Sequence, residues 1–433
     1  MKLDRSLRAR LAKAGQEFLA DHGEGLDPAR RQALLTQLEG LDLDLLADLH
    51  AAGEESALDG NLGPLPYIPF AERGRQTAAA ARGVAELEAG RVAFALLAGG
   101  QASRLRWDGP KGTYPVGPVT ERCLFRIFAE HILRAGRDYG RQPSLAVTTS
   151  AATDAAIRTF FERQDCFAMD RAELGFACQA SLPALDDCGR LLLCAPDRIF
   201  TSPDGHGGAV LALEREGILA GWEAAGITTV VTFQVDNPLL QVVDPDFIGR
   251  LHTGDASLAT KVILKERPEQ KLGVLVRRGG RAATVEYSEL PPELAAARDP
   301  DGRLTFRLGS VGAHAFKLDF LRRELAKDLP LHTARKEIPC VDNNGAADRR
   351  WGVKFERFLF DLFPRAAGVV VAEVLREREY GPIKNADGNE SPETARAMLD
   401  AEYRRWYREA GRESPPGERI ELSPLDALGP EDL

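Results

Sequence analysis

Two glycines, Gly99 and Gly100, end an apolar run from Val92 to Ala98, and Arg104 and the triplet Pro110-Lys111-Gly112 follow within the same loop. Adjacent glycines let a backbone approach a phosphate or a flat base closely, because no Cβ intervenes and positive φ costs little. Arg104 and Lys111 add two fixed cations, and Pro110 stiffens the chain just before the lysine. A plain strand-to-helix turn accounts for the glycines alone. Glycines, proline and two cations together point to a phosphate-binding loop. A second candidate is Asp236, which closes a predicted strand from Thr228 to Val235. Open α/β sheets place ligand-handling groups at the carboxyl ends of their strands, although an N-cap or turn aspartate fits that position equally.

Other chemistries find no pattern here. The loop does not end in Gly-Lys-Ser/Thr as a Walker motif does, and it lacks the spacing of a dinucleotide-binding fingerprint. Seven histidines and the scattered serines form no triad signature, and six cysteines form no CxxC pair, which argues against nucleophilic catalysis and zinc. A net charge of −9 speaks against a nucleic-acid partner and against long-range steering of an anionic substrate. A polyphosphate ligand would have to be neutralised locally, by a few lysines and arginines with a divalent cation.

These residues need elements to position them. Val92 to Ala98 reads as a strand buried on both faces, and Leu124, Ile127, Phe128, His131, Ile132 and Ala135 as one face of a helix before a strand from Ser144 to Thr148. His131 on that apolar face is expected to be a satisfied core histidine. A helix from Asp154 to Arg163 follows, then strands at Leu258 to Ile263, Gly273 to Arg277, Ala282 to Glu286 and Val369 to Leu375, and a helix around Thr394 to Gly411. The first ninety residues read as helical. Leu7, Leu11, Ala14 and Phe18 share a helix face, and Asp27-Pro28 looks like a capped start. The expected organisation is a helical N-terminal region over 1–90, a catalytic domain over 91–380 and a small C-terminal domain over 381–433. The N-terminus has no apolar core of a signal peptide, and no stretch approaches the roughly 20 apolar residues of a membrane span, so a soluble, cytoplasmic protein is expected.

The stretch LAGGQASRLRWDGPKGTYPVG, residues 97–117, resembles the nucleotide-binding signature of the eukaryotic-type UDP-sugar pyrophosphorylases, and is closest to those that make UDP-N-acetylglucosamine. Further motifs resemble the family in order over roughly residues 65 to 433. The resemblance implies an α/β fold, a Rossmann-like (GT-A-like) nucleotidyltransferase with a mixed sheet flanked by helices. It also implies a reaction in which a sugar 1-phosphate attacks the α-phosphorus of UTP and pyrophosphate leaves, with Mg2+. Arg104, Lys111 and Lys384 would be the catalytic cations. Leu97, Ala98, Gly99, Gly100, Gln179 and Gly205 would hold the nucleotide, and Asp236 would bind both nucleotide and metal. His206, Gly273, Glu286 and Lys354 would contact the sugar.

The sequence departs from the family at several points. Ala102-Ser103 stand where Gly-Thr is usual, His206 where an asparagine holds the sugar, and Ser310 and Ala313 where asparagines are found. An imidazole offers different donors and more bulk than a carboxamide. The alternatives are therefore a UDP-glucose or broad-specificity pyrophosphorylase, and a UDP-sugar-binding protein without catalysis. A glycosyltransferase of similar fold would carry an Asp-x-Asp pair where this chain has Asp236-Asn237-Pro238.

Overall fold

The structure, a computed structural model, describes residues 4–43, 45–46, 61–74, 76–342, 345–417 and 419–433. The chain forms two compact units. The smaller takes the described residues of Met1–Ala57, Ala180–Gly208 and Leu329–Leu359, and the larger those of Leu58–Gln179, Ala209–Asp328 and Phe360–Leu433. This division cuts across the segments 1–90, 91–380 and 381–433. It does so because apolar faces far apart in sequence share a core.

In the smaller unit the N-terminal helices Arg5–Lys13, Glu17–Gly25 and Pro28–Gly40 bury Leu7, Leu11, Leu19, Leu34 and Leu38 together with Leu182, Leu185, Leu191 and Phe355. Asp27 caps the third helix, accepting from the Ala29 and Arg30 amides, with Pro28 at its first position. The single face expected from Leu7 to Phe18 is instead split between two helices. Gly15 adopts φ +69°, and the buried Gln16 amide bonds to the Ala14 and Gly189 carbonyls and accepts from the Leu191 amide. A side chain that satisfies loop backbone in this way needs the helix to stop beside it.

The larger unit is built on a mixed sheet, ten-stranded among the described residues. Its path runs Leu62–Gly63, Val274–Arg278, Leu308–Lys317, Thr229–Gln234, Val92–Leu97, Leu145–Ser150, Leu174–Gln179. The last four are mutually parallel, and Leu308–Lys317 joins them antiparallel. Val92–Leu97 lies inside the sheet, and its neighbour Thr229–Gln234 is likewise almost wholly buried, as uncharged runs without alternation should be. Register aligns Leu97 with Gln234 and with Thr148, and Ser150 with Gln179. Thus Gly99, Ser150, Gln179 and Asp236 all emerge at the carboxyl ends of these four parallel strands. Among the described residues no helix is long and apolar enough to cross a membrane.

Helices Ala78–Glu88 and Pro245–Leu251 cross at two glycines. A Cβ on Gly83 would lie 1.9 Å from the Pro245 carbonyl oxygen, and one on Gly249 would lie 1.7 Å from that of Ala79. Alanine in an isolated helix is favoured over glycine by about 1 kcal/mol, but overpacking costs about 1–3 kcal/mol and at times more. Here the clash is with backbone, so the helices must part and packing wins. Gly249→Ala is expected to lower stability by roughly 3 kcal/mol in urea denaturation, and an unchanged midpoint would contradict this reading.

His131 is buried in helix Leu124–Tyr139 as expected, but its Nδ1 finds no hydrogen-bond partner. The satisfied core histidine of the sequence reading is therefore corrected to an unsatisfied one. Burial, assisted by the charge of Lys261, pushes its pKa down to about 4.

Candidate active site

The glycine loop begins where its strand leaves the sheet. Ala98 N–H donates to the Thr148 carbonyl, and the Gly99 carbonyl accepts from Ser150 Oγ at 2.7 Å and Thr153 Oγ1 at 3.4 Å. A Cβ on Gly99 would stand 2.5 Å from Gln179 Oε1 and 3.2 Å from the Thr149 carbonyl oxygen. Only glycine allows that approach, so Gly99 and Gln179 are brought together as a pair. The loop then closes on itself: Lys111 N–H donates to the Gly100 carbonyl at 3.1 Å, and Gln101 bridges to Pro110.

This closure aims Lys111 at the neighbouring strand end. Lys111 Nζ lies 3.6 Å from Asp236 Oδ2 and donates to the Ile383 carbonyl at 3.2 Å, and both charged side chains are largely buried. Ile383 N–H in turn donates to the Asp236 carbonyl at 2.8 Å, and Lys384 follows directly. Lys384 Nζ contacts the Tyr380 hydroxyl at 3.2 Å and Glu390 Oε2 at 3.3 Å. Burial works against its charge, yet Tyr380, Glu390 and Asp236 outweigh burial and raise its pKa, so it stays an ammonium. Lys111, Asp236 and Lys384, far apart in sequence, form one cluster.

Gly273 and Glu286 form a second pair. The hairpin of Val274–Arg278 with Arg281–Val285 places Val274 opposite Val285, so a Cβ on Gly273 would lie 3.5 Å from Glu286 Oε1. The Gly273 carbonyl accepts from Ser310 N–H, and a Cβ on Gly312 would lie 3.2 Å from the Gln234 carboxamide, two residues before Asp236. Arg104 is not drawn into either group. Its side chain is exposed, in the short turn Ser103–Leu105, and makes no hydrogen bond or ion pair among the described residues.

Gly205, His206 and Lys354 belong to the smaller unit. Pro203-Asp204-Gly205 leads into the helix Gly205–Arg215. The glycines there have a packing reason. A Cβ on Gly205 (φ +84°) would lie 2.5 Å from the Arg357 carbonyl oxygen, and one on Gly208 would lie 2.0 Å from the Asp204 carboxylate. His206 Nδ1 accepts from Leu359 N–H at 2.9 Å, and its ring stacks on Phe358, which stacks on His332. A ring that accepts at Nδ1 carries its proton on Nε2. Lys354 Nζ sits 4.8 Å from the centre of the Phe200 ring, and burial followed by the charge of Lys336 lowers its pKa.

Burial, then the nearby His332, lowers the His206 pKa to about 4, matching His131. Both folded values lie below the unfolded one, so unfolding takes up protons below about pH 6.5. Their contribution to stability is complete above that pH and is lost as pH falls toward 4. The slope is about 1.4 kcal/mol per pH unit for each proton. Urea midpoints measured at about pH 7 and about pH 5 should fall on acidification, and an equal or higher midpoint at the lower pH would count against this.

A protein-family model described as UTP–glucose-1-phosphate uridylyltransferase matches residues 75–410, which include both clusters. The chain belongs to this family. Among relatives, human UDP-N-acetylhexosamine pyrophosphorylase-like protein 1 is 35% identical over 99% of this chain and 90% of its own length. UDP-N-acetylglucosamine diphosphorylase 2 of Arabidopsis thaliana is 33% identical over 99% of this chain and 90% of its own. The crystal structure of Trypanosoma brucei uridine diphosphate N-acetylglucosamine pyrophosphorylase, solved with an inhibitor, superposes with a TM-score of 0.83 at 27% identity, covering 98% of this chain and 92% of that one. The UDP-sugar pyrophosphorylase resemblance and the nucleotidyltransferase-type mixed α/β fold expected from the sequence are therefore both borne out.

Sequence reasoning about this family member missed the residues that hold the cluster in place. Ser150 and Thr153 fix the Gly99 carbonyl, Tyr380 and Glu390 receive Lys384, and Asn237 ties the Lys384 segment down. Two of them were within reach. Asn237 adjoins Asp236, and Tyr380 opens the YGPIK run that ends in Lys384.

Proposed function

We propose that the chain is a UTP:sugar-1-phosphate uridylyltransferase whose sugar substrate is an N-acetylhexosamine 1-phosphate, N-acetylglucosamine 1-phosphate first. The observation that carries the reading is the meeting of Lys111, Asp236 and Lys384 at the strand ends, beside the Gly99–Gln179 pair. The names of the relatives supply the sugar. Gly99, Gly100 and Gln179 hold the uridine, while Lys111, Lys384 and the exposed Arg104 receive the phosphates.

In the reaction a phosphate oxygen of the sugar 1-phosphate forms a bond to the α-phosphorus of UTP. The bond from that phosphorus to the oxygen bridging the β-phosphate breaks, and pyrophosphate departs with the electron pair. The nucleophile is already an anion, so no side chain has to take a proton. What the step demands is that two anions meet and that charge on the leaving group be met by fixed cations. Lys111 and Lys384 are pre-placed for that, and the raised pKa keeps Lys384 charged at neutral pH.

The donor set suits magnesium. Among the described residues no group of three or more metal-ligating side chains exists, and Asp236 is the carboxylate at the strand end. Mg2+ typically binds through one or two carboxylates, completed by substrate phosphates and water, so a lone Asp236 is enough. When bound, the ion supplies charge neutralisation on the phosphate oxygens.

The deciding experiment is pyrophosphate release from UTP with magnesium and a panel of sugar 1-phosphates. Preference for N-acetylglucosamine or N-acetylgalactosamine 1-phosphate supports the proposal. Preference for glucose 1-phosphate keeps the mechanism and assigns a sister specificity, with His206, Ser310 and Ala313 as the first residues to exchange. No release with any sugar leaves a UDP-sugar-binding protein.

A further inference from the structure

Asn237 is almost wholly buried, and its carboxamide is spent on one short stretch of chain. Nδ2 donates to the Glu379 carbonyl at 2.7 Å, and Oδ1 accepts from Gly381 N–H at 3.0 Å. These two partners fix the orientation of the amide. Rotated by half a turn, it would set donor against donor and acceptor against acceptor. No other side chain of this length offers one neutral donor and one acceptor in a single plane.

The stretch that Asn237 grips is tied at both ends. On one side the Glu379 carboxylate bonds to Lys261 Nζ at 2.6 Å, and Lys261, itself buried, also reaches the Gln241 carbonyl at 2.9 Å and Asp244 at 2.8 Å. On the other side Ile383 N–H bonds the Asp236 carbonyl, and the Ile383 carbonyl receives Lys111 Nζ. Lys384 comes next, its own N–H bonded to the Glu390 carbonyl. Lys111 reaches the cluster from the glycine loop and Lys384 from this stretch, so the spacing of the two ammonium groups depends on how the stretch is seated on Asp236-Asn237.

Resting on the uridylyltransferase reading, we propose that Asn237 is a positioning residue that sets Lys384 and the Ile383 carbonyl against Lys111 and Asp236, and so fixes the spacing of the cations that take the triphosphate. It touches no substrate itself. A misplacement of about 1 Å in such an arrangement can cost on the order of 100-fold in rate, whereas the uridine-binding pair, Gly99 and Gln179, lies on other strands and is untouched.

The test compares Asn237→Ala and the isosteric Asn237→Asp with the wild type in pyrophosphate release and in binding of UTP and of uridine. Asn237→Asp keeps the acceptor for Gly381 N–H but removes the donor to Glu379 and sets a carboxylate against its carbonyl. Both variants are expected to lose roughly 10- to 100-fold in kcat and about 10-fold in UTP affinity, with uridine affinity unchanged. Loss of uridine and UTP binding in equal proportion would overturn the proposal in favour of a merely structural role. Wild-type kcat and UTP affinity in both variants would overturn it outright. A wild type that neither binds UTP nor releases pyrophosphate overturns the proposed function instead, which keeps the two failures apart.

Discussion

Replacing Lys111 by alanine is expected to lower turnover by a factor on the order of 10²–10³ while leaving the protein folded. The size follows from what comparable fixed donors supply to developing charge, about 2.7–4 kcal/mol each. The selectivity follows from geometry. The loop is closed by the backbone of Lys111, whose N–H bonds to the Gly100 carbonyl, and that bond survives truncation of the side chain. The side chain itself bonds one carbonyl and lies 3.6 Å from Asp236. Interactions made chiefly with the departing pyrophosphate should appear in kcat more than in the KM for UTP. Lys111→Arg should recover little, because a planar guanidinium does not fit the place of a compact ammonium between Ile383 and Asp236. Pyrophosphate release near the wild-type rate in Lys111→Ala would remove this residue from the phosphate site and weaken the case for the whole cluster.

The largest effect on stability is expected at Lys261, in Lys261→Met. Its ammonium is buried between the Glu379 and Asp244 carboxylates, over the Phe247 ring. Methionine fills the volume but leaves Glu379 without its cation. Asp244 keeps Arg73, which pairs with both Asp244 and Asp246. Removing one partner of a buried pair typically costs about 3–5 kcal/mol, because the remaining charge is stranded out of water. Urea denaturation should show a loss in that range, and the double variant Lys261→Met/Glu379→Gln should recover part of it. A loss below about 1 kcal/mol would mean that water reaches the pair, and the buried network would have to be reinterpreted. Turnover should fall as well, since Glu379 anchors the stretch that carries Lys384.

Part of the geometry of this candidate site was legible in the sequence, for identifiable reasons. Val92 to Ala98 is uncharged and ends in two glycines, so the strand and its turn follow a strong local signal, whereas the approach of Gln179 to Gly99 joins distant parts of the chain and has none. Asp236 was placed by the strand before it, and Lys111 by its proline. Ser150 and Thr153 were not visible, because their work is done by hydrogen bonds to a backbone carbonyl remote in sequence, which leave no periodic trace. The ionic network around Lys261 was equally hidden: a lysine within an apolar strand, LATKVIL, gives no hint that its partners are Asp244 and Glu379. The break at Gly15 was missed because apolar spacing from Leu7 to Phe18 fits one helix, and only the buried Gln16 explains the interruption.

The makeup of the smaller unit bears on how the protein is made. Leu7, Leu11 and Leu34 complete their core with Leu191 and Phe355, so the first helices leave the ribosome long before the strand that covers them. At about 5–20 residues per second the gap is on the order of tens of seconds, during which a leucine-rich helical surface stays open to water and to other nascent chains. The larger unit has no such wait for its central strands, since Val92–Leu97, Leu145–Ser150 and Leu174–Gln179 pair in order of synthesis. Assembly during synthesis is thus uneven: the sheet that bears the glycine loop can begin to form at once, while the helices from Arg5 to Gly40 wait for Leu191 and Phe355 before their core can close.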